Sequence, residues 1–416
     1  MAGNSSLPHG PRHDRRAFRL APFRGLRFDP ATVGDLSTVI SPPYDVLDAE
    51  TVRRLEQANR HNIVRLILSR RFERPYVAVR ERLEDWRRCS YLQADETPCL
   101  YVYEYTAEQA TVRGLIGLAA LRPESERVIL PHEEVMAGPV DDRTVLMRTT
   151  RTNLEPILLV HEGTAELRSL ISHVTGSPPL ADFSAIDGST HRLWSVDQTD
   201  LLESVAAQLA PSQVLIADGH HRYAAYLRLQ AELRDGSAAP ETSPWDFGLA
   251  MLVDQNDQAL RVGPIHRSVA ALTLADLREL TAERGDTLDL HADRESALAA
   301  WSHPGPDDAE ASFAVSDGES WAVLRTRRTL PIDAAVLHQD LLPAWHVADE
   351  QIGYHHSLDQ AVHATHRQPG LVVAVHPPSL AQVMDAAARG IRMPRKSTSF
   401  SPKPRMGVVM RDLRDL

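Results

Sequence analysis

Asp218, Gly219, His220, His221 and Arg222 stand in an unbroken row, and their types are those that handle phosphate or a metal ion. Two imidazoles and a guanidinium can grip phosphate oxygens through several N–H groups at once. The Asp218 carboxylate suits a hard divalent cation. The row follows Val214-Leu215-Ile216-Ala217, an apolar run bounded by polar residues that reads as a buried strand. It leads into Tyr223–Arg234, where Tyr226, Leu229 and Leu233 recur at helical spacing. Asp218-Gly219 supplies a tight turn between the two. A strand, a glycine turn and a helix start together expose backbone N–H groups at the positive end of a helix dipole, which makes an anion site. A loop carrying two surface histidines would need no such density of functional groups.

Three further stretches carry chemistry. After the strand end Val128-Ile129-Leu130 comes Pro131-His132-Glu133-Glu134. A glutamate beside a histidine on a strand-end loop is the arrangement expected of a general base or metal ligand, with a solvated acidic loop as the plain alternative. Ser41-Pro42-Pro43 fixes a corner after the run Thr38-Val39-Ile40, and the loop position makes Tyr44 and Asp45 candidates for reaching a ligand. The basic residues are nearly all arginine. The two lysines, Lys396 and Lys403, fall close together in Met393–Lys403, a proline-punctuated segment rich in hydroxyls and cations. A compact ammonium meets phosphate without the planar fork of arginine, so these two point to phosphate contact.

The bulk numbers narrow the class. At 416 residues the chain is long enough for two or three domains. A net charge of −11 argues against a nucleic-acid partner and against an anionic membrane surface. Apolar runs fall short of the roughly 18–20 residues of a membrane span, and the N-terminus lacks a secretory apolar core. Two cysteines, Cys89 and Cys99, are too few for a disulfide framework or a zinc ribbon, so a cytoplasmic protein is expected. No Walker A box, dinucleotide glycine fingerprint, G-x-S-x-G elbow or H-E-x-x-H pair is present.

The elements that must position these residues read as mixed α/β, an α+β fold rather than a regular βαβ repeat. Residues 1–17 lack periodicity and are expected to form a disordered tail. Helices are expected over Asp48–Asn59, Tyr76–Arg88, Ala165–Val174 and Leu201–Leu209, and after the Gly138-Pro139 break over Asp141–Met147. Strands are expected at Asn62–Leu68, Cys99–Thr106, Arg113–Leu121, Ile157–Val160 and Phe247–Val253, the last forming a hairpin with Ala259–Val262. Gly263–Arg267 breaks the pattern, dividing a core domain (18–262) from a C-terminal α/β domain (263–416). There, strands are read at Ser312–Val315, Ser320–Leu324 and Leu371–Val375, with helices at Ala334–Leu342, Leu358–Arg367 and Ser379–Arg389.

The box IADGHHRY at Ile216–Tyr223 resembles the signature of an uncharacterised family, domain of unknown function 1015. Similar blocks occur in order: ISPPYDVL at Ile40–Leu47, LPHEE with the following DDR at Leu130–Arg143, DG..HRLW at Asp187–Trp194, PIHR at Pro264–Arg267 and MPRKSTSFSPK at Met393–Lys403. The box is more distantly similar to the DGHHR motif of ParB-like free serine kinases, and that likeness implies a ParB/sulfiredoxin-like nucleotide-binding core with insertions. By this resemblance Glu133, with His132 and Glu134 beside it, would be the catalytic base. Asp218 would hold Mg2+, and Gly219, His220, His221 and Arg222 would cradle the phosphates of ATP or ADP, with CTP as a third donor. Lys396, Ser397, Thr398 and Lys403 are assigned to the same phosphates, and Tyr44, Asp45, Arg143, His266 and Arg267 to the substrate. The expected activity is a kinase acting on a small hydroxylated metabolite such as L-serine. A long insertion between Ile157–Val160 and the box, and the long C-terminal half, leave acceptor and oligomeric state open, a homodimer included.

Two other classes fit parts of the pattern. A ParB-like switch would bind and hydrolyse nucleotide without phosphorylating an acceptor. A metal-dependent hydrolase would use His220 and His221 with His132 or His266, although neighbouring residues on a helix diverge by about 100° and rarely ligate one ion.

Overall fold

Strand Phe247–Asp254 is buried at every position, and Leu100–Ala107 and Ala110–Ala120 over most of their lengths, so their sheet is covered on both faces. The computed structural model describes residues 17–68, 75–107, 109–234, 243–258, 260–302 and 309–414. These fall into two compact units. The first takes in residues 1–130, 137–259 and 403–416; the second takes in 131–136 and 260–402. Pro131–Met136, placed by the sequence reading in the core domain, therefore clusters with the second unit, and Lys403–Leu416 with the first.

The first unit is built on a nine-stranded mixed sheet. Its strands are β1 (Leu20–Ala21), β2 (Leu100–Ala107), β3 (Ala110–Ala120), β4 (Ile129–Leu130), β5 (Ile157–His161), β6 (Ala181–Ser184), β7 (Thr190–Val196), β8 (Val214–Asp218) and β9 (Phe247–Asp254). The order is β4-β8-β5-β9-β3-β2-β7-β6, with β1 paired to β3. The β8 strand lies parallel to β4 and antiparallel to β5, in a register broken between Ile216 and Asp218. Helices α1 (Ala49–Ala58), α2 (Pro75–Arg88), α3 (Ala137–Thr150), α4 (Ala165–Thr175), α5 (Thr199–Leu209) and α6 (His220–Leu233) complete it. Ile157, Leu159, Val214, Ile216, Tyr223, Tyr226 and Leu229 share one core cluster, which fixes the strand, turn and helix of the DGHHR row as one packed body. The chain's last strand, Met410–Asp412, lies in a separate four-stranded sheet between Gly25–Phe28 and Thr152–Asn153.

The second unit holds a six-stranded sheet of His266–Ala270, Thr287–His291, Glu310–Ser316, Trp321–Arg327, Ile352–His355 and Gly370–Ala374. The overall class is mixed α+β. No helix among the described residues is long and apolar enough to cross a membrane.

Four expectations are corrected. Asn62–Leu68 is no strand; Val64–Ile67 is one helical turn, because buried Asn62 accepts a hydrogen bond from the Val64 N–H at 3.0 Å and donates to the carbonyls of Thr38 and Ile40. Since Ile63, Val64, Leu66 and Ile67 are all buried, the run carries no one-sided period to read. Helix α3 begins at Ala137 and runs through Gly138-Pro139, since a proline in the first turn has no intrahelical bond to lose. Helix α6 begins at His220 rather than Tyr223. The expected hairpin after β9 does not form: Arg261–Gly263 pairs with Ser399–Ser401, and β9 lies between β3 and β5. The expected tail lies, up to residue 16, outside the described residues, as does 235–242.

Buried histidines set a pH limit on the fold. Burial pushes His161, His191 and His266 from an ordinary 6.5 down to about 4, so each is neutral in the folded chain. Below pH 6.5 the unfolded chain takes up protons that the folded chain refuses until about pH 4. Stability is therefore expected to fall across that window as pH drops, by up to about 3 kcal/mol per histidine. Calorimetry from pH 7 to 4.5 should show a falling Tm; a flat Tm would contradict this.

Candidate functional site

The turn after β8 can be made only by glycine. Gly219 has φ +97°, and a Cβ there would stand 2.8 Å from Ile157 Cγ2 and 3.1 Å from Arg222 Nε. With no side chain at this position to cap α6, the first-turn N–H groups present the positive end of a 14-residue helix. Arg222 is 5% exposed, and its Nε is buried with no hydrogen-bond partner while lying against this turn. A buried N–H left unmet costs about 1–3 kcal/mol, so the turn holds a donor suited to an added acceptor. His220 is buried and His221 half-buried in the same first turn.

Charge around the turn is tightly paired. Asp218 Oδ1 lies 2.6 Å from Lys403 Nζ, and Oδ2 lies 2.6 Å from Arg222 Nη2. Burial pushes the Asp218 carboxyl up, but the charges of Lys403 and Arg222 outweigh it and hold the group well below the ordinary carboxylate range. Arg222 also meets Glu155 at 3.6 Å and donates to the Pro156 carbonyl. Burial pulls the guanidinium down, but Glu155 and Asp218 raise it further, so it stays charged. Lys403 reaches Asp218 because the end of the chain is anchored in this unit. Met406 exchanges backbone bonds with Ser41, and buried Arg411 donates to the carbonyls of Phe247 and Pro244.

Next to this set, Arg143 is buried, paired with Asp142 at 2.6 Å and with Glu155 at 3.8 Å, and lies 5.2 Å over the Tyr44 ring. Tyr44 is half-buried, its phenol pushed up by burial and then by Glu155. Arg143 and Tyr44 are thus brought to one place with Arg222. The Asp45 side chain lies outside the described residues.

A second constellation belongs to the second unit. Glu133 Oε1 accepts from the Ser397 N–H at 3.0 Å, the Thr398 N–H at 2.9 Å and Thr398 Oγ1 at 3.0 Å. Buried His132 meets the same Thr398 hydroxyl through Nε2 at 2.8 Å. Burial raises the Glu133 carboxyl above its ordinary value despite the Thr398 hydrogen bonds. Lys396, at φ +59°, turns the chain so that both amides converge on the carboxylate. Arg267 pins that turn by donating to the Lys396 carbonyl at 2.9 Å.

The other assigned residues have protein partners. Arg267 is fully buried, donating to His338, Ile265 and Lys396 and stacked 4.7 Å from the Tyr354 ring. His266 is buried and neutral, its Nδ1 accepting from the Val375 N–H. The Ser397 hydroxyl donates to the Pro394 carbonyl and the Thr398 hydroxyl to Glu133. The metal role of Asp218 does not fit, because both of its oxygens already face cations. Among the described residues no group of three or more His, Cys, Asp or Glu is placed to hold a metal. Sequence reasoning missed Glu155, which links Arg143 to Arg222; its sole sequence signal was an acid ahead of Pro156 at the mouth of a buried strand.

Comparison with known proteins identifies a family. The chain belongs to the family described as protein of unknown function (DUF1015), matched over residues 20–369. Among solved structures it is similar to a free serine kinase in complex with AMP (TM-score 0.38, 14% identity, covering 72% of this chain and 90% of that one). It is also similar to a conserved hypothetical protein from Pyrococcus furiosus (0.38, 15%, 72% and 96%). A C-terminally truncated SbnI from Staphylococcus aureus follows (0.36, 11%, 70% and 84%). No curated protein matches the chain.

Two substitutions test the first constellation. Arg222→Met leaves Asp218 and Glu155 short of a buried counter-charge and should cost about 3–5 kcal/mol. Gly219→Ala forces an alanine into a left-handed, crowded position and should cost about 1–3 kcal/mol. Chemical unfolding measures both; wild-type stability in either would refute the packing described.

Proposed function

We propose that this member of the family is a nucleotide-dependent phosphotransferase of the cytoplasm that acts on a small hydroxylated metabolite, L-serine first. The observation that carries the reading is the Gly219 turn, where a helix N-terminus, the unmet Nε of buried Arg222 and the ammonium of Lys403 come together. Phosphate oxygens are the ligand that such a set of donors satisfies. The DGHHR resemblance seen in the sequence points the same way, with ATP or ADP as donor and CTP as a third candidate. Tyr44 and Arg143, set beside Arg222, are the proposed acceptor contacts.

Glu133 is the proposed base. The acceptor hydroxyl oxygen attacks the terminal phosphorus while the bond from that phosphorus to the nucleotide's bridging oxygen breaks. The hydroxyl proton goes to Glu133, and the leaving nucleotide carries away the negative charge. Two features favour Glu133. Its Oε1 is fixed by hydrogen bonds from the Ser397 and Thr398 amides and the Thr398 hydroxyl. Its carboxyl is raised by burial, which strengthens it as a base near neutral pH. Lys396 remains a proposed phosphate contact.

Glu133→Gln is expected to lower phosphoryl transfer by roughly 100-fold or more while nucleotide binding persists. Full transfer in that variant would refute the base assignment. Nucleotide hydrolysis indifferent to every hydroxylated acceptor would replace the kinase with a switch.

A further inference from the structure

Resting on the reading of the Gly219 turn as a phosphate site, we infer that Asp218 is a positioning residue for Lys403. Phosphate charge is then met there by Lys403 and Arg222, and not by a magnesium ion held on Asp218. An aspartate at a phosphate-binding turn is ordinarily read as a metal ligand, and its surroundings in this chain contradict that. Both carboxylate oxygens lie 2.6 Å from a cationic nitrogen, Lys403 Nζ on one side and Arg222 Nη2 on the other. A magnesium ion bound to Oδ1 would have to displace the ammonium. It would then lie beside the buried guanidinium, whose other carboxylate, Glu155, is shared with Arg143.

The neighbouring carboxylates are no more available. Asp142 is paired with Arg143, and Glu155 is shared between Arg143 and Arg222. Three carboxylates (Asp142, Glu155, Asp218) are thus matched by three cations (Arg143, Arg222, Lys403). Magnesium sites built by proteins use one or two carboxylates together with phosphate and water oxygens, and need them uncommitted. The pairing also explains why a lysine is kept here in a chain that otherwise uses arginine. A compact ammonium bonds the carboxylate as a point charge, without the planar fork of a guanidinium. The side chain of Lys403 is 10% exposed and that of Asp218 27%, so the pair is held at the site rather than splayed into water.

The test uses the full chain, with ADP binding measured by calorimetry in EDTA and again in magnesium. Wild type is expected to bind ADP with affinities within about threefold of each other in the two buffers. Asp218→Asn and Lys403→Met should each weaken binding by roughly tenfold in both, and the double variant no more than either alone, because they act as one unit. Lys403→Arg, which keeps the charge, should fold and retain binding within about tenfold. Electron paramagnetic resonance of Mn2+ added with ADP gives an independent reading: Asp218→Asn should leave the bound-metal signal intact. Loss of that signal in Asp218→Asn but not in Lys403→Met would make Asp218 a metal ligand and overturn the inference alone. Absence of ADP binding by wild type in both buffers would overturn the phosphate site, and the inference with it.

Discussion

Everything at the candidate site depends on one half-buried carboxylate, Asp218, held between two cations, one near it in sequence and one distant. Arg222 comes from the next turn of helix, four residues on, and Lys403 from a segment 185 residues away. Taking an aspartate, a lysine and an arginine out of water is unfavourable unless each charge is met, and here each is. The strand β8 and the glycine turn aim the carboxylate, and the C-terminal strand in the second sheet of the same unit brings the lysine. Remove either support and the charges no longer meet.

Glu133 is built by a different device. Two backbone amides and a hydroxyl converge on one oxygen, as in an anion nest, and the cation behind them, Arg267, donates to neutral acceptors. His338 must be neutral to accept from Arg267 Nε, and burial followed by the Arg267 charge drives its pKa down to about 3. Arg267 itself falls to about 10, chiefly through burial. A buried guanidinium without a carboxylate is tolerable because the Tyr354 face and three acceptors replace its hydration.

Local chemistry was legible in the sequence; distant pairing was not. The strand, glycine turn and helix of the DGHHR row follow from an apolar run, a turn dipeptide and helical spacing, all within 20 residues. Even there the helix start was read three residues late, since His220, His221 and Arg222 carry no apolar period. Asn62–Leu68 was misread because a buried helical turn and a buried strand are both continuously apolar. The Lys403–Asp218 pair and the Glu133 nest join residues 185 to 265 apart, and no spacing rule reaches that far. Lysine rarity still marked Lys403 as special. The PIHR motif marks His266 and Arg267 but does not show their burial or their partners Val375, His338 and Tyr354.

The most direct measurement is a backbone amide NMR titration of the full chain with ADP. If phosphate binds where the charges are arranged to receive it, the amides of Gly219, His220, His221 and Arg222 shift first, and Lys403→Met moves those shifts to roughly tenfold higher ADP. Shifts confined to residues away from this turn, or none at saturating ADP, would contradict the account.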